Sequence, residues 1–96
     1  MLESVKKVEI IVSQLEVPAV LKILKQNLIN RYTIINNVSG CGEHGYYGDD
    51  LITNSCIIII CPNLQIVEQL SEAMQPLLKK LGGIFIVTDA HWITQE

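Results

Sequence analysis

The order of secondary structure predicted along the chain is the feature that most restricts its fold. Four short runs rich in β-branched residues favour strands, and two longer runs with apolar residues at three- and four-residue steps favour helices. The predicted strands are Lys7–Ser13, Tyr32–Val38, Ser55–Cys61 and Ile84–Thr88. One helix separates the first two strands and the other separates the last two, so the order is β-α-β-β-α-β.

The first predicted helix carries one apolar stripe. Pro18 suits its first turn, and the stripe continues at helical spacing as far as Leu28. We expect this helix to end near Asn30. At the other end of the chain, residues 90–96 are expected to add no more than a short turn after the fourth strand.

The second predicted helix contains a proline. Asn63 is a suitable N-cap, and the apolar stripe that follows it ends at Leu81. Pro76 lies inside this stripe, where it removes an amide donor and crowds the preceding turn. We therefore expect a kink or a break near Gln75.

The β-α-β-β-α-β order has a simple structural solution. Two interleaved β-α-β units with right-handed crossovers give a four-stranded antiparallel sheet with both helices on one face. The predicted fold is α+β and ferredoxin-like, with residues 1–96 in a single domain. The third strand contains Ile57 to Ile60 without alternation, so both sheet faces are expected to be buried. Since the helices cover one face, we expect the other to pack against sister subunits in a closed homo-oligomer.

Composition excludes several classes of protein. Apolar residues make up 49% of the chain and charged residues 18%, which excludes intrinsic disorder. The net charge is −3 and the seven Lys and Arg residues are scattered, so nucleic acid is not an expected partner. The amino terminus does not resemble a secretory signal, and no apolar run is long enough to span a membrane. Three cysteines without such a signal indicate a reducing, cytoplasmic compartment.

A long glycine-rich loop, Ser39–Asn54, joins the second and third predicted strands. Most connections in compact domains have about four to six residues, and much longer ones are often binding loops. Tyrosines and aspartates near the tip suggest an exposed surface that binds a partner protein, and its acidity suits a basic partner surface. Packing of the tip against the domain's own surface is an equally good interpretation. These tip residues are Tyr46, Tyr47, Asp49 and Asp50.

The evidence for a dinucleotide site, a metal site or a catalytic site is weaker than that for a partner-binding loop. The Gly-x-Gly-x-x-Gly spacing resembles a dinucleotide fingerprint, but no helix follows it. Cys41, His44 and His91 could share a metal ion, yet they fall short of a spaced zinc set, so no metal site is expected. Cys56 and Cys61 lie on opposite faces of the third strand and are interpreted as packing residues. No nucleophile with an adjacent base is identifiable, so the chain is not expected to be an enzyme.

Three segments in this order resemble the PII signalling proteins. They are the strand start from Tyr32 to Asn36, the Gly40-Cys41-Gly42 at the loop base, and the segment from Leu81 to Ile86. The likeness covers most of the chain and is closest to the cyanobacterial PII-like carbon regulators associated with a bicarbonate transporter. It implies a homotrimer that binds an adenine nucleotide in clefts between subunits. It also implies that the long loop docks onto a target protein, such as a membrane transporter or a regulatory enzyme.

The resemblance also implies which residues bind the nucleotide. Thr33 would lie near the adenine, Gly40 and Gly42 would let backbone amides approach phosphate, and Gly82 and Gly83 would border a second phosphate loop. For the loop base, glycines that only provide flexibility are an equally good interpretation. The effector is expected to be AMP, ADP, ATP or cyclic AMP. Selectivity for ATP stays open because the second phosphate loop is short, and 2-oxoglutarate is not expected to bind.

Two families with the same topology remain as alternatives. CutA metal-tolerance proteins would use the cysteine and histidines above, but the long loop suits them poorly. ACT domains bind amino acids beside a glycine between the first strand and helix, where this chain has the sequence SQLE at residues 13–16. An acylphosphatase-like enzyme would need an arginine in that same connection, and none is present.

Overall fold

The computed structural model describes residues 1–42, 45–46 and 53–94. Along the chain the elements are β1 (Leu2–Ser13), a 3-10 turn (Gln14–Glu16), α1 (Val17–Gln26), β2 (Thr33–Val38), β3 (Cys41–Gly42), β4 (Gly45–Tyr46), β5 (Asn54–Cys61), α2 (Leu64–Leu81) and β6 (Ile84–Ile93). Four strands form an antiparallel sheet in the order β2-β5-β1-β6, and β3 pairs with β4 in a separate small sheet. The predicted ferredoxin-like βαββαβ fold is confirmed.

Both helices pack against one face of the large sheet, which we call the inner face. Alternate residues of β1 and β5 meet the apolar stripes of α1 and α2 there. The buried core comprises Val8, Ile10, Val12, Val20, Leu24, Ile57, Ile59, Cys61, Val67, Leu70 and Met74. Burial of this apolar surface stabilises the fold by roughly 25 cal/mol per Å².

The opposite face of the sheet, the outer face, is also apolar but is only partly covered. In β5, Ile57 and Ile59 are buried against the helices, whereas Ile58 and Ile60 are half-buried on the outer face. The apolar residues that share the outer face, by pairing and alternation, are Ile11, Ile35, Cys56, Ile58, Ile60, Ile84 and Ile86. The missing alternation of β5 therefore reflects an apolar outer face that this chain does not bury by itself.

The two strands β1 and β6 are longer than the sequence pattern predicted. Leu2 pairs with Ile93, so the ends of these strands form a two-stranded ribbon beyond the end of β5. The expected short turn over residues 90–96 is wrong, because β6 continues through Ile93. Lys6 and Asp89 form an ion pair across the ribbon, and Thr94 donates two hydrogen bonds to the carbonyl of Met1, each 3.1 Å long. Cross-strand polar contacts of this kind extend a strand where apolar periodicity is weak.

Helix α1 ends earlier than predicted, at Gln26 rather than near Asn30. The amide of Ile29 donates to the carbonyl of Leu24 over 2.9 Å, and the amide of Leu28 donates to that of Lys25 over 3.1 Å. This pair of bonds is a Schellman motif, which stops a helix by turning one residue into the left-handed region. That residue is Leu28, with a φ of 61°, and its side chain is 85% exposed instead of continuing the apolar stripe.

Helix α2 runs through Pro76 without a break, so of the expected kink or break near Gln75 the break is wrong. The proline removes one amide donor, but residues on both sides of it pack against the core, including buried Met74 and half-buried Leu77. Tertiary packing therefore holds the helix together across this position. Neither helix in the described part of the chain has the length and apolar character needed to cross a bilayer.

Candidate functional site

The candidate site lies at one end of the large sheet, which we call the loop end. There β1 and β2 end, and β5 and β6 begin. Asn54 pairs with both Ser13 of β1 and Val38 of β2, and Ile84 pairs with Ile11. Both predicted glycine sets therefore lie near the same end of the sheet, since one follows β2 and the other precedes β6.

The chain leaves β2 through a β-bulge. The register with β5 shifts between Asn36 and Val38, and Asn37 has a φ of 61°, in the left-handed region that asparagine tolerates better than most residues. Ser55, which is fully buried, donates a hydrogen bond from its Oγ to Oδ1 of Asn36 over 3.0 Å. The bulge thus directs the chain into the loop. The bulge was not predicted, although two adjacent asparagines at the end of an isoleucine-rich strand are a usable signal.

The carboxyl end of the loop is also tied to the sheet. The amide of Gln14 donates to the carbonyl of Thr53 over 2.8 Å, and Thr53 Oγ1 donates to Oε1 of Gln14 over 2.7 Å. Ser13 caps the 3-10 turn by accepting a bond from the amide of Leu15 over 3.3 Å. The connection between β1 and α1 therefore anchors the loop exit, a role the sequence analysis did not assign to it.

The loop base contains a short two-stranded sheet. Cys41 pairs with Tyr46, and Gly42 pairs with Gly45. This pair forms a sheet of its own, separate from the ladder of the large sheet. Of the other loop residues singled out from the sequence, His44, Tyr47, Asp49 and Asp50 lie outside the described residues.

The second glycine pair has a structural explanation of its own. Gly82 caps α2 with a φ of 79°, and its amide donates to the carbonyl of Leu78 over 2.8 Å. Gly83 has a φ of 119°, and a Cβ atom there would lie 2.8 Å from the carbonyl oxygen of Ile11. Both positions therefore need glycine for the fold itself. They differ in surroundings, since a Cβ on Gly82 would meet nothing within 4 Å.

One chain does not bring all the predicted nucleotide-binding residues together. Gly40 follows the β2 edge of the sheet and Gly83 precedes the β6 edge, three strand spacings or about 14 Å away. Thr33 is exposed on the outer face at the start of β2, five positions and about 16 Å from the loop end. The residues therefore form two groups on opposite edges of the sheet.

The residues considered for a metal site are also separated. His91 lies seven positions along β6 from the loop end, about 23 Å from Ile84 at the usual strand rise. Within residues 1–42, 45–46 and 53–94, no three His, Cys, Asp or Glu side chains form a cluster that could hold a metal ion.

The two strand cysteines are buried on opposite faces, as their spacing predicted. Cys61 belongs to the core between sheet and helices, and Cys56 lies on the outer face. Burial raises the pKa of both thiols, and the Glu9 carboxylate on the same face raises the pKa of Cys56 further. Raised pKa values keep both groups as unreactive thiols near neutral pH.

Solved structures of PII-like proteins resemble this chain over its whole length. CPII from Thiomonas intermedia K12, bound to ADP, AMP and bicarbonate, is 29% identical, with 100% of both chains covered and a TM-score of 0.87. Its complex with ADP and bicarbonate aligns at 31% identity over 96% of this chain and 91% of CPII, with a TM-score of 0.85. GlnK from B. subtilis, in complex with ATP, is 22% identical over 91% of this chain and 83% of its own, with a TM-score of 0.66. That last likeness concerns the fold.

A family profile agrees with the likeness to these structures. None of the curated proteins matches the chain. The profile of the family described as nitrogen regulatory protein P-II matches residues 5–95, which include both helices and all of the large sheet except the first three residues of β1. The chain belongs to the nitrogen regulatory protein P-II family.

Proposed function

We propose that this protein is a homotrimeric PII-like sensor that binds an adenine nucleotide in clefts between subunits and regulates a target protein through its loop. The observation that carries the proposal is the likeness to CPII over the full length of both chains, since CPII binds ADP, AMP and bicarbonate. ADP and AMP are accordingly the first candidates for the effector, ahead of ATP and cyclic AMP. The specific kinship of this chain with the cyanobacterial carbon regulators stays a prediction.

The separation of the two glycine groups supports a site shared between subunits. Within one chain, Gly40 and Gly82 lie at opposite edges of the sheet, about 14 Å apart by strand spacing. In a ring of identical subunits, the β2 edge of one chain can face the β6 edge of the next. Such a contact would place the loop base of one chain and Gly82 of the next around one ligand. Thr33 lies on the same β2 edge as the loop base, about 16 Å along the strand from the loop end.

The glycines would act differently on a bound phosphate. The amide of Gly82 already bonds to the carbonyl of Leu78, so this residue offers space for a ligand and no free donor. The loop base is the better source of amide donors, because Gly40 lies in the connection between β2 and β3 and Gly42 in the short strand that follows, outside the ladder of the large sheet.

The outer face of the sheet supports the proposed trimer. Ile35 and Ile86 are 48% and 50% exposed on this face, beside other isoleucines that are half-buried. Apolar patches of this kind on a small protein mark contact surfaces. The Lys7–Glu9 ion pair, 3.4 Å long, lies on the same face and would define how neighbouring subunits are aligned.

In this proposal the long loop is the surface that binds the target protein. The acidic, tyrosine-bearing segment with Tyr46, Tyr47, Asp49 and Asp50, which begins in β4 at the loop base, would dock onto a basic surface of the target, and nucleotide binding at the loop base would change its conformation. The protein would act in the cytoplasm as a regulator of a transporter or an enzyme, without catalytic activity of its own.

Calorimetry together with mass determination in solution tests the proposal. ADP, AMP, ATP and cyclic AMP would each be titrated into the purified protein, with and without bicarbonate, and GTP would serve as the control nucleotide. We expect a trimer that binds at least one adenylate and binds GTP much more weakly. A monomer that binds none of the adenylates would overturn the proposal, and tight binding of copper or zinc instead would favour the CutA-like alternative.

A further inference from the structure

A groove beside α1 is separate from the candidate nucleotide site. It has a volume of about 430 Å³ and lies between the solvent side of α1 and the connection to β2. Pro18, Leu21, Ile29 and Tyr32 provide its apolar lining, and the exposed side chains of Lys22 and Lys25 line it as well. Its size is that of a site for a small ligand or for a few side chains of a bound peptide.

Charge is unevenly distributed around this groove. Residues 17–42 contain Lys22, Lys25 and Arg31 and no aspartate or glutamate. The rest of the chain carries four Lys and Arg residues against ten acidic ones, a net charge of −6, although the protein as a whole has −3. The described residues that line the groove include two lysines and no carboxylate, in a protein that is acidic as a whole, so the groove favours anionic partners.

Leu28 adds an apolar anchor next to the groove. It directly precedes the lining residue Ile29, and its side chain is 85% exposed. It also holds a φ of 61°, where glycine would be the favourable residue for a Schellman motif. The Schellman motif thus holds the apolar side chain of Leu28 in solvent beside the groove, where it can contact a bound partner.

We propose that this groove, with Leu28 beside it, binds an acidic segment of a partner protein that also carries apolar side chains. Carboxylates of that segment would pair with Lys22 and Lys25, while its apolar side chains would enter the groove. A membrane surface fits less well, because recognition of anionic lipids typically uses clusters of about four to eight basic residues. Since α1 packs on the inner face of the sheet, the groove stays accessible when the outer face is covered in the proposed trimer.

Fluorescence anisotropy with two synthetic peptides tests this proposal. The probe is a fluorescein-labelled peptide of leucine pairs flanked by glutamates, and the control peptide has lysine in place of each glutamate. The wild-type protein should bind the acidic probe, more weakly at higher salt, and should bind the lysine peptide much less. Lys22→Glu/Lys25→Glu should weaken binding of the probe about tenfold or more, because two attractive contacts become repulsive.

Two further variants distinguish the groove from general charge and folding effects. Lys79→Glu/Lys80→Glu makes the same charge change on exposed lysines in the last turn of α2 and should alter affinity less than about twofold. Leu28→Gly should weaken binding about threefold while raising the resistance to urea, because glycine relieves the positive φ.

Several results would overturn the proposal. These are absence of probe binding by the wild-type protein, equal losses in the two double-lysine variants, and unchanged affinity of Leu28→Gly. Displacement of the probe by ADP would show that the groove belongs to the nucleotide cleft. Binding to phosphatidylserine vesicles without binding to the peptide would assign the groove to a membrane instead, and dimers of trimers formed only by the wild-type protein would assign it to a second copy of this chain.

Discussion

Ser55 Oγ donates a 3.0 Å hydrogen bond to Oδ1 of Asn36, across the strand pair from which the loop emerges. Ser55 is fully buried, and the bulge at Asn37 lies immediately beyond its partner. The bond therefore connects the stability of the sheet to the direction in which the chain enters the loop.

Replacement of this serine should destabilise the protein. Ser55→Ala removes the bond and should lower the free energy of unfolding by about 1 kcal/mol, measured by urea denaturation at fixed protein concentration. The control is Ser71→Ala, because Ser71 donates its hydrogen bond to the carbonyl of Glu68 within α2 and alanine is a good helix former. Equal stabilities of Ser55→Ala and the wild type would show that the bond does not contribute.

The two glycines after α2 should respond differently to the same substitution. Gly83→Ala places a Cβ atom 2.8 Å from the carbonyl oxygen of Ile11 at a φ of 119°, and we expect a loss of about 2–4 kcal/mol. Gly82→Ala meets no atom within 4 Å, so its cost should be limited to backbone strain at a φ of 79° and a ψ of −173°, about 1–3 kcal/mol and less than that of Gly83→Ala. Urea denaturation of both variants measures the difference. A similar loss in both would mean that close approach to β1 is not what requires glycine at residue 83.

Charge on the outer face of the sheet should disrupt assembly. Ile86→Glu, or Ile35→Glu, puts a carboxylate on the surface proposed to meet neighbouring subunits, so the mass in solution should fall from trimer to monomer. Leu64→Glu is the matched control, because Leu64 is 51% exposed at the start of α2, away from that face. A trimer retained by both outer-face variants would place the subunit contact elsewhere.

The ion pair in the β1–β6 ribbon should be visible in an NMR titration. The Lys6 ammonium donates a hydrogen bond to the Asp89 carboxylate and lowers the pKa of Asp89. The pair thus stabilises the fold above the ordinary aspartate pKa, and this contribution is lost as the pH falls through the lowered value. Lys6→Met should raise the measured pKa of Asp89, whereas Lys7→Met, on the opposite face, should leave it unchanged. No change in Lys6→Met would remove the lysine as the cause.

Local patterns in the sequence were sufficient for the element order and the sheet. β-branched runs and helical stripes identified all four strands of the large sheet and both helices, because burial on the inner face follows the same periodicities. The errors arose where a specific contact overrides the pattern. Leu28 continues the stripe by spacing, but the capping bonds after Leu24 end the helix before it. Likewise, packing of Met74 against the core keeps α2 continuous through Pro76.

The candidate site was less accessible to sequence reasoning. The glycines were identified from a family resemblance, whereas Asn36, Ser55 and Gln14 act through contacts with residues far along the chain, which no local pattern reveals. The glycines at 82 and 83 also show that a residue type can fit a ligand site and be required by the fold for another reason. The tip of the loop lies largely outside the described residues, so its role stays a prediction.

The central claim, that a nucleotide lies between two subunits, is tested most directly by mixing two variants. Gly40→Asp places a carboxylate at the loop base, and Gly82→Asp places one at the other edge of the sheet, so each variant alone should lose ADP binding through repulsion of the phosphates. Mixed trimers formed from equal amounts by joint refolding contain clefts with an intact loop base from one chain and an intact Gly82 from its neighbour. Calorimetry should then recover about a quarter of the wild-type ADP sites, as random assembly requires. A mixture of properly formed trimers that binds no ADP, although the wild type does, would contradict a shared cleft.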